Sequence, residues 1–216
     1  MSVEFNPVQS SRASGPKGTR ADGASATLNG VKPINFNPKN IKLVVGLGNP
    51  GAKYTRTYHN AGRLAITILE ENREVFGPRC RFFIPETFMN ESGPAVIKAL
   101  REYSAPAKKT RTRRVRSFAN FLLVHDDSDL PLGTYRLVFG RGGAGHHGVD
   151  SVVRALGTKE FWRLRIGIRP AAFKNKKAGE FVLKPITKNG EAAVEKATEE
   201  FLQTFDTRAR HAREEG

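Results

Sequence analysis

The run IKLVVGLG at residues 41–48 is β-branched and apolar until it closes on glycines, the pattern of a buried strand. Ala61, Leu64, Ala65, Ile68 and Leu69 then recur at spacings of three and four, which predicts a helix with one inward face closing near Gly77-Pro78. RFFIPET reads as a strand, and Gly93 to Tyr103 as a helix with Ala95, Val96, Ala99 and Leu100 inward. FLLV at 121–124 is a short, fully apolar strand ahead of polar HDDSDLP. TYRLVF and RLRIGI are further strands with VDSVVRALG as a helix between them, and an amphipathic helix spans Glu191 to about Arg210. This alternation predicts an α/β fold: a single domain with a mixed, mostly parallel twisted sheet flanked by helices on both faces. Ligands in such sheets bind beyond the carboxyl ends of strands, where GNPG (after LVVGL) and HDD (after FLLV) fall.

Three segments lie outside this pattern. Residues 1–40 are rich in Ser, Gly, Asn and Pro without helical or strand period and are expected to be a disordered tail. Arg12, Lys17 and Arg20 outnumber the acids there, so an organellar targeting segment is a second reading. The ordered domain is expected over 41–210, followed by a short tail at 211–216. Inside it, residues 107–117 (AKKTRTRRVRS) hold six basic residues and no acid, either a solvated loop or a nucleic-acid contact.

Charge narrows the partners. With 36 Lys+Arg against 21 Asp+Glu the net charge is +15, which suits a polyanion. The single cysteine, Cys80, excludes a disulfide scaffold and a multi-cysteine zinc cage. No stretch approaches the ~18 apolar residues of a membrane helix, so no membrane partner is expected. The expected location is cytoplasmic, or an organelle such as the mitochondrial matrix if residues 1–40 are an address.

Gly46-Leu47-Gly48-Asn49-Pro50-Gly51 matches G-x-G-x-x-G after a strand, but the context of a dinucleotide site is missing. AKYTRTY, which follows, is polar and aperiodic, and no isolated acid ends a second strand about 20 residues on. His59-Asn60 precede a helix, Thr87 to Asn90 follow a strand, and His125-Asp126-Asp127 end another. A carboxylate able to orient an imidazole, with amides able to hold a carbonyl or a water, outlines a general-base hydrolase. The loop GRGGAGHHG at 140–148 lacks the Lys-Ser/Thr of a P-loop, and the surrounding histidines and acids show no ligand spacing for a metal.

The segments VVGLGNPGAKYTRTYHNAG (44–62), IPETFMNESG (84–93), FLLVHDDSDLPLG (121–133), GGAGHHG (142–148), FWRLRIGIRP (161–170) and GEFVLKP (179–185) together resemble the bacterial-type peptidyl-tRNA hydrolase family, in family order. The resemblance implies a monomer acting without metal or cofactor on the ester between a peptide and the 3′ end of tRNA. It implies His59 as general base and Asp126 as the carboxylate that holds it. Asn49, Tyr54, Asn60, Met89, Asn90, His146 and His147 would contact substrate, and Arg136 and Arg165 tRNA phosphates. Three departures stand out. The family's G-H-N-G loop reads Gly145-His146-His147-Gly148 here, the stretch between about Asn72 and Phe82 is trimmed, and the basic run is longer. Organellar relatives that serve RNA splicing as binding partners supply the alternative, an RNA-binding scaffold with a weakened site.

Overall fold

The computed structural model describes residues 25–28, 31–103 and 118–214; the basic run at 107–117 and the first part of the expected tail lie outside them. A five-stranded sheet forms the middle of the molecule: β3 (Leu43–Gly46), β4 (Arg81–Phe83), β5 (Phe118–Pro131), β6 (Tyr135–Phe139) and β7 (Phe161–Arg169), in the order β4-β3-β5-β7-β6. Every neighbouring pair is parallel except β6 with β7. A separate antiparallel pair, β1 (Ser25–Leu28) and β2 (Val31–Asn35), precedes it.

Alternation along the strands divides the core into two layers. Val44, Leu122, Val124, Leu164 and Ile166 pack with α1 (Ala61–Glu71) and α4 (Lys188–Glu214). Leu43, Val45, Phe121, Leu123 and Phe161 face α2 (Ser92–Tyr103) and α3 (His147–Leu156). This is the expected α/β arrangement, with helices on both faces. No helix among the described residues is long and apolar enough to cross a membrane.

The element boundaries differ from expectation in four places. The structureless tail was expected to reach residue 40, but Phe36 is buried, with ring contacts to Trp162, Phe201 and Phe205. Burying a phenylalanine returns about 1.5–3 kcal/mol, enough to anchor the chain there. β5 does not stop at Val124 but continues through HDDSDLP, because His125, Asp126 and Asp127 stay in register with Arg165, Ile166 and Gly167 of β7. α4 runs to Glu214, so most of the expected C-terminal tail is helical. In the trimmed region α1 ends at Glu71, a single 3-10 turn covers Arg73–Val75, and the edge strand β4 has only three residues.

One glycine sets how closely the first helix approaches the sheet. A Cβ on Gly62 would lie 2.6 Å from the Leu47 carbonyl oxygen and 2.7 Å from that of Val124. The start of α1 is thus pressed against the carboxyl ends of β3 and β5, and His59 with it.

Candidate active site

His59 sits in the 3-10 turn Tyr58–Asn60 that leads into α1, and its backbone N–H donates to the Val182 carbonyl at 2.8 Å. Its Nδ1 lies 2.8 Å from Asp126 Oδ2, while Asp126 Oδ1 lies 2.8 Å from His146 Nε2. His146 caps α3: its Nδ1 accepts the Val149 N–H at 3.3 Å, so its proton is on Nε2 and is donated to Asp126. Burial works against the Asp126 carboxylate, but the charges and hydrogen bonds of His146 and His59 outweigh it and hold this carboxyl well below the usual range. An ionised Asp126 accepts from both rings. His59 therefore carries its proton on Nδ1 and presents a bare Nε2.

Burial also disfavours the His59 imidazolium, yet the charge of Asp126 and its hydrogen bond prevail and raise the His59 pKa. His125 contrasts with it. Its Nδ1 lies 2.7 Å from the Asp126 carbonyl oxygen, and its ring meets that of His146 edge-on at 4.8 Å. Full burial, followed by the charges of His146 and Arg163, pushes its pKa well below the ordinary value, so it stays neutral. Its buried Nε2 has no hydrogen-bond partner among the described residues.

A chain of amides fixes the loops beside His59. The Asn49 N–H donates to Asn60 Oδ1 at 2.8 Å, and Asn60 Nδ2 donates back to the Asn49 carbonyl at 3.0 Å. Asn49 Oδ1 accepts the Met89 N–H at 2.9 Å, which leaves the Asn49 amide nitrogen free to donate. Tyr54 meets Phe88 edge-on, and Phe88 is 49% exposed.

The cleft containing His59 and Asp126 has a volume of about 640 Å³ and runs beneath the glycine-rich loop 140–147. His146, His147 and Arg165 line it, as do Arg141, Lys159 and Arg163. His59, Asp126 and His146 bring their ligand atoms within 4.8 Å of one another, a spacing that would admit a cation. The donor set does not favour one, because both Asp126 oxygens already accept imidazole protons and a metal would have to displace them.

The expected site residues are thus only partly assembled as foreseen. Asn49, Tyr54, Met89 and Asn90 do not line this cleft; Asn49 and Met89 are bonded to each other and tied to the His59 turn through Asn60. Asn60, expected to touch substrate, is buried and spends its side chain on Asn49. His146, also expected on substrate, instead spends both ring nitrogens on Asp126 and the α3 cap. Arg136 is exposed on β6 in register with Arg165, whose Nε donates to Asp127 Oδ2. Arg163 escaped notice in the sequence, although an arginine at an alternate position within the apolar run FWRLRIGI was the signal.

A histidine–carboxylate pair at the carboxyl ends of parallel strands, opening on a cleft, gives the molecule the form of an α/β hydrolytic enzyme. Comparison with known proteins makes this specific. The family model described as peptidyl-tRNA hydrolase matches residues 43–215. The chain is 36% identical over 185 residues to the peptidyl-tRNA hydrolase of Azoarcus sp. (strain BH72), covering 78% of this chain and 79% of that one. It is 37% identical over 185 residues to that of Aromatoleum aromaticum, covering 78% and 88%. The crystal structure of peptidyl-tRNA hydrolase from Acinetobacter baumannii superposes with a TM-score of 0.60 at 28% identity, over 82% of this chain and 92% of that one. The chain belongs to the peptidyl-tRNA hydrolase family and is an enzyme of that kind.

Proposed function

We propose that the protein cleaves the ester joining a peptide to the 3′ end of tRNA, with His59 and Asp126 activating water. The observation that carries this reading is the Nδ1–Oδ2 bond of 2.8 Å, which leaves His59 Nε2 as an unencumbered base. Nε2 takes a proton as the water oxygen bonds to the ester carbonyl carbon, and the imidazolium is stabilised by Asp126. The tetrahedral intermediate then collapses, breaking the bond between carbonyl carbon and ribose oxygen. That oxygen leaves with the proton returned by His59, yielding tRNA and a free peptide carboxyl.

The amide nitrogens of Asn49 and Asn90 supply donors for the carbonyl and the terminal ribose, with Tyr54 and Met89 in the same group. His147, exposed at the first turn of α3, contacts the bound ester from the other side of the cleft. Arg136 engages the phosphate backbone, and Arg165, neutralised in part by Asp127, orders the strand ends beside it. The +15 charge favours the encounter with tRNA.

The test is single-turnover cleavage of an N-blocked aminoacyl-tRNA, with and without chelator, by the wild type and the His59→Ala and His147→Asn variants. Chelator-resistant cleavage that disappears in His59→Ala while tRNA binding persists is the expected result. Cleavage that survives His59→Ala would remove His59 from the mechanism, and tight tRNA binding without cleavage, rescued by His147→Asn, would show a retired site.

A further inference from the structure

The turn that carries His59 is paired along its length with one stretch of chain. The His59 N–H donates to the Val182 carbonyl at 2.8 Å, the Tyr58 N–H to the Lys184 carbonyl at 3.3 Å, and the Ile186 N–H to the Arg56 carbonyl at 2.9 Å. Thr57 and Pro185 form an antiparallel bridge between them. Tyr58 adds side-chain contact, meeting the rings of Phe173 and Phe181 edge-on, and those two rings stack at 5.3 Å. On this side, His59 is held only as firmly as the segment 170–186 that straps it.

That segment leaves β7 at Pro170, and two short 3-10 turns, Ala171–Phe173 and Ala178–Glu180, set its course. Arg169, the last residue of β7, reinforces it. Its Nη1 donates to the carbonyls of Phe173 at 2.8 Å and Lys176 at 2.7 Å, with that of Lys174 at 3.4 Å. Its Nε donates to the carbonyl of Ser128, two residues beyond Asp126 on β5. The guanidinium lies 5.1 Å from the centre of the Phe181 ring. One planar group thus touches the strand that bears Asp126, the loop that follows β7 and the aromatic pair beside Tyr58. A rigid fork of five donors can serve carbonyls in several directions at once, whereas an ammonium is a point charge on a flexible stem.

We propose that Arg169 is a positioning residue: it staples the segment 170–186 to the end of β5, and so sets the placement of His59 against Asp126 and of the cleft wall formed by Ala178, Gly179 and Val182. Its consequence for turnover rests on the proposed role of His59; the staple itself does not.

The sign of the His59 titration separates position from charge. The groups that face the His59 ring are Asp126 on β5, bonded to Nδ1, and His146 ahead of α3, with ring centres 5.1 Å apart; the strap meets His59 through the Val182 carbonyl. Removing a cation with no change of position would raise the His59 pKa further, because the imidazolium would lose a repulsive neighbour. Loosening the bond to Asp126 would lower it toward about 6.5.

The test titrates the His59 Cε1–H resonance by NMR, assigned through its absence from His59→Ala. It uses the full chain as wild type, Arg169→Gln, Arg169→Lys and Leu202→Ala, the last a cavity variant outside the strap that lowers Tm. Single-turnover cleavage of an N-blocked aminoacyl-tRNA and tRNA binding are measured on the same proteins. In both Arg169 variants the His59 pKa should fall toward 6.5 and kcat should fall about tenfold, the scale of a sub-ångström misplacement, with tRNA affinity nearly unchanged. Leu202→Ala should keep the wild-type His59 pKa. Arg169 is half-buried, and Arg169→Lys retains its charge, so this variant carries the test if Arg169→Gln does not fold. A His59 pKa that rises in Arg169→Gln and stays put in Arg169→Lys would reduce Arg169 to a remote charge. An unchanged His59 pKa with only a lower Tm would make it a structural residue, and either result overturns the proposal. A wild type that cleaves no ester, while its His59 pKa still falls in both variants, would refute the hydrolase reading and leave the staple standing.

Discussion

His59 Nδ1 and Asp126 Oδ2 are 2.8 Å apart although the two residues are 67 positions apart in the chain. The same carboxylate accepts from His146, so one buried group fixes the orientation of two imidazoles.

Replacing that carboxylate with an amide tests the arrangement. In Asp126→Asn the new NH2 faces one histidine as a second donor, so either the His59 tautomer or the His146 cap must give way. By analogy with serine-protease triads, kcat for peptidyl-tRNA should fall by about 10³–10⁴-fold with tRNA affinity nearly unchanged. Paired single-turnover and binding measurements would show this, and an equal loss in both would make Asp126 a folding residue.

The pH profile follows from the direction of the His59 shift. Catalysis needs the neutral ring, so kcat/KM should fall as pH drops through the His59 pKa. Because Asp126 raises that pKa, the acid limb should have its midpoint above the ordinary histidine value of about 6.5. In Asp126→Asn the residual activity should show a lower midpoint. A wild-type midpoint well below 6.5 would contradict the coupling.

His125 makes the opposite prediction for stability. Its folded pKa is depressed, so between the folded and unfolded values the unfolded chain binds the extra proton. Its contribution is complete above about pH 6.5 and is lost as pH falls below that. The raised pKa of His59 acts in the other direction, giving stability below the unfolded value that fades as pH rises through the folded one. Urea unfolding of wild type and His125→Asn from pH 7.5 down to 5 separates them: the variant should lose the acid-side decline. A decline of equal slope in both would place it elsewhere.

Gly93 holds α2 against α3. A Cβ there would lie 2.3 Å from the Ser151 carbonyl oxygen and 2.7 Å from Ala155 Cβ, and the Gly93 N–H donates to Ser151 Oγ at 3.0 Å. Gly93→Ala should cost about 1–3 kcal/mol by overpacking, read as a lower urea midpoint. Because His146 caps α3, activity should decline at urea concentrations below the global transition.

The elements with clear periodicity were legible in the sequence, including α1, α2, α3 and the apolar parts of β3 and β7. The polar half of β5 was not, because His125, Asp126 and Asp127 bury themselves on each other's neighbours and not on apolar surface. The pairing of His59 with Asp126 was legible from their positions at strand and helix ends and from family resemblance. The bonds of Asn60 and His146 were not, since a side chain that bonds a neighbouring residue has the same identity as one that bonds substrate. Arg163 was hidden for a related reason: the partner of a cation inside an apolar strand shows only once the loop folded over it, here the Gly142 carbonyl, is known.

The scaffold beside the His59 turn and the protein's attraction for substrate rest on different forces. Asn49, Asn60 and Met89 are joined by neutral amide hydrogen bonds, which salt barely weakens. The pull on RNA comes from net charge, which salt screens steeply. Ionic strength therefore acts on this enzyme as a dial for occupancy alone: raising it should drive KM upward while turnover of the bound ester holds steady.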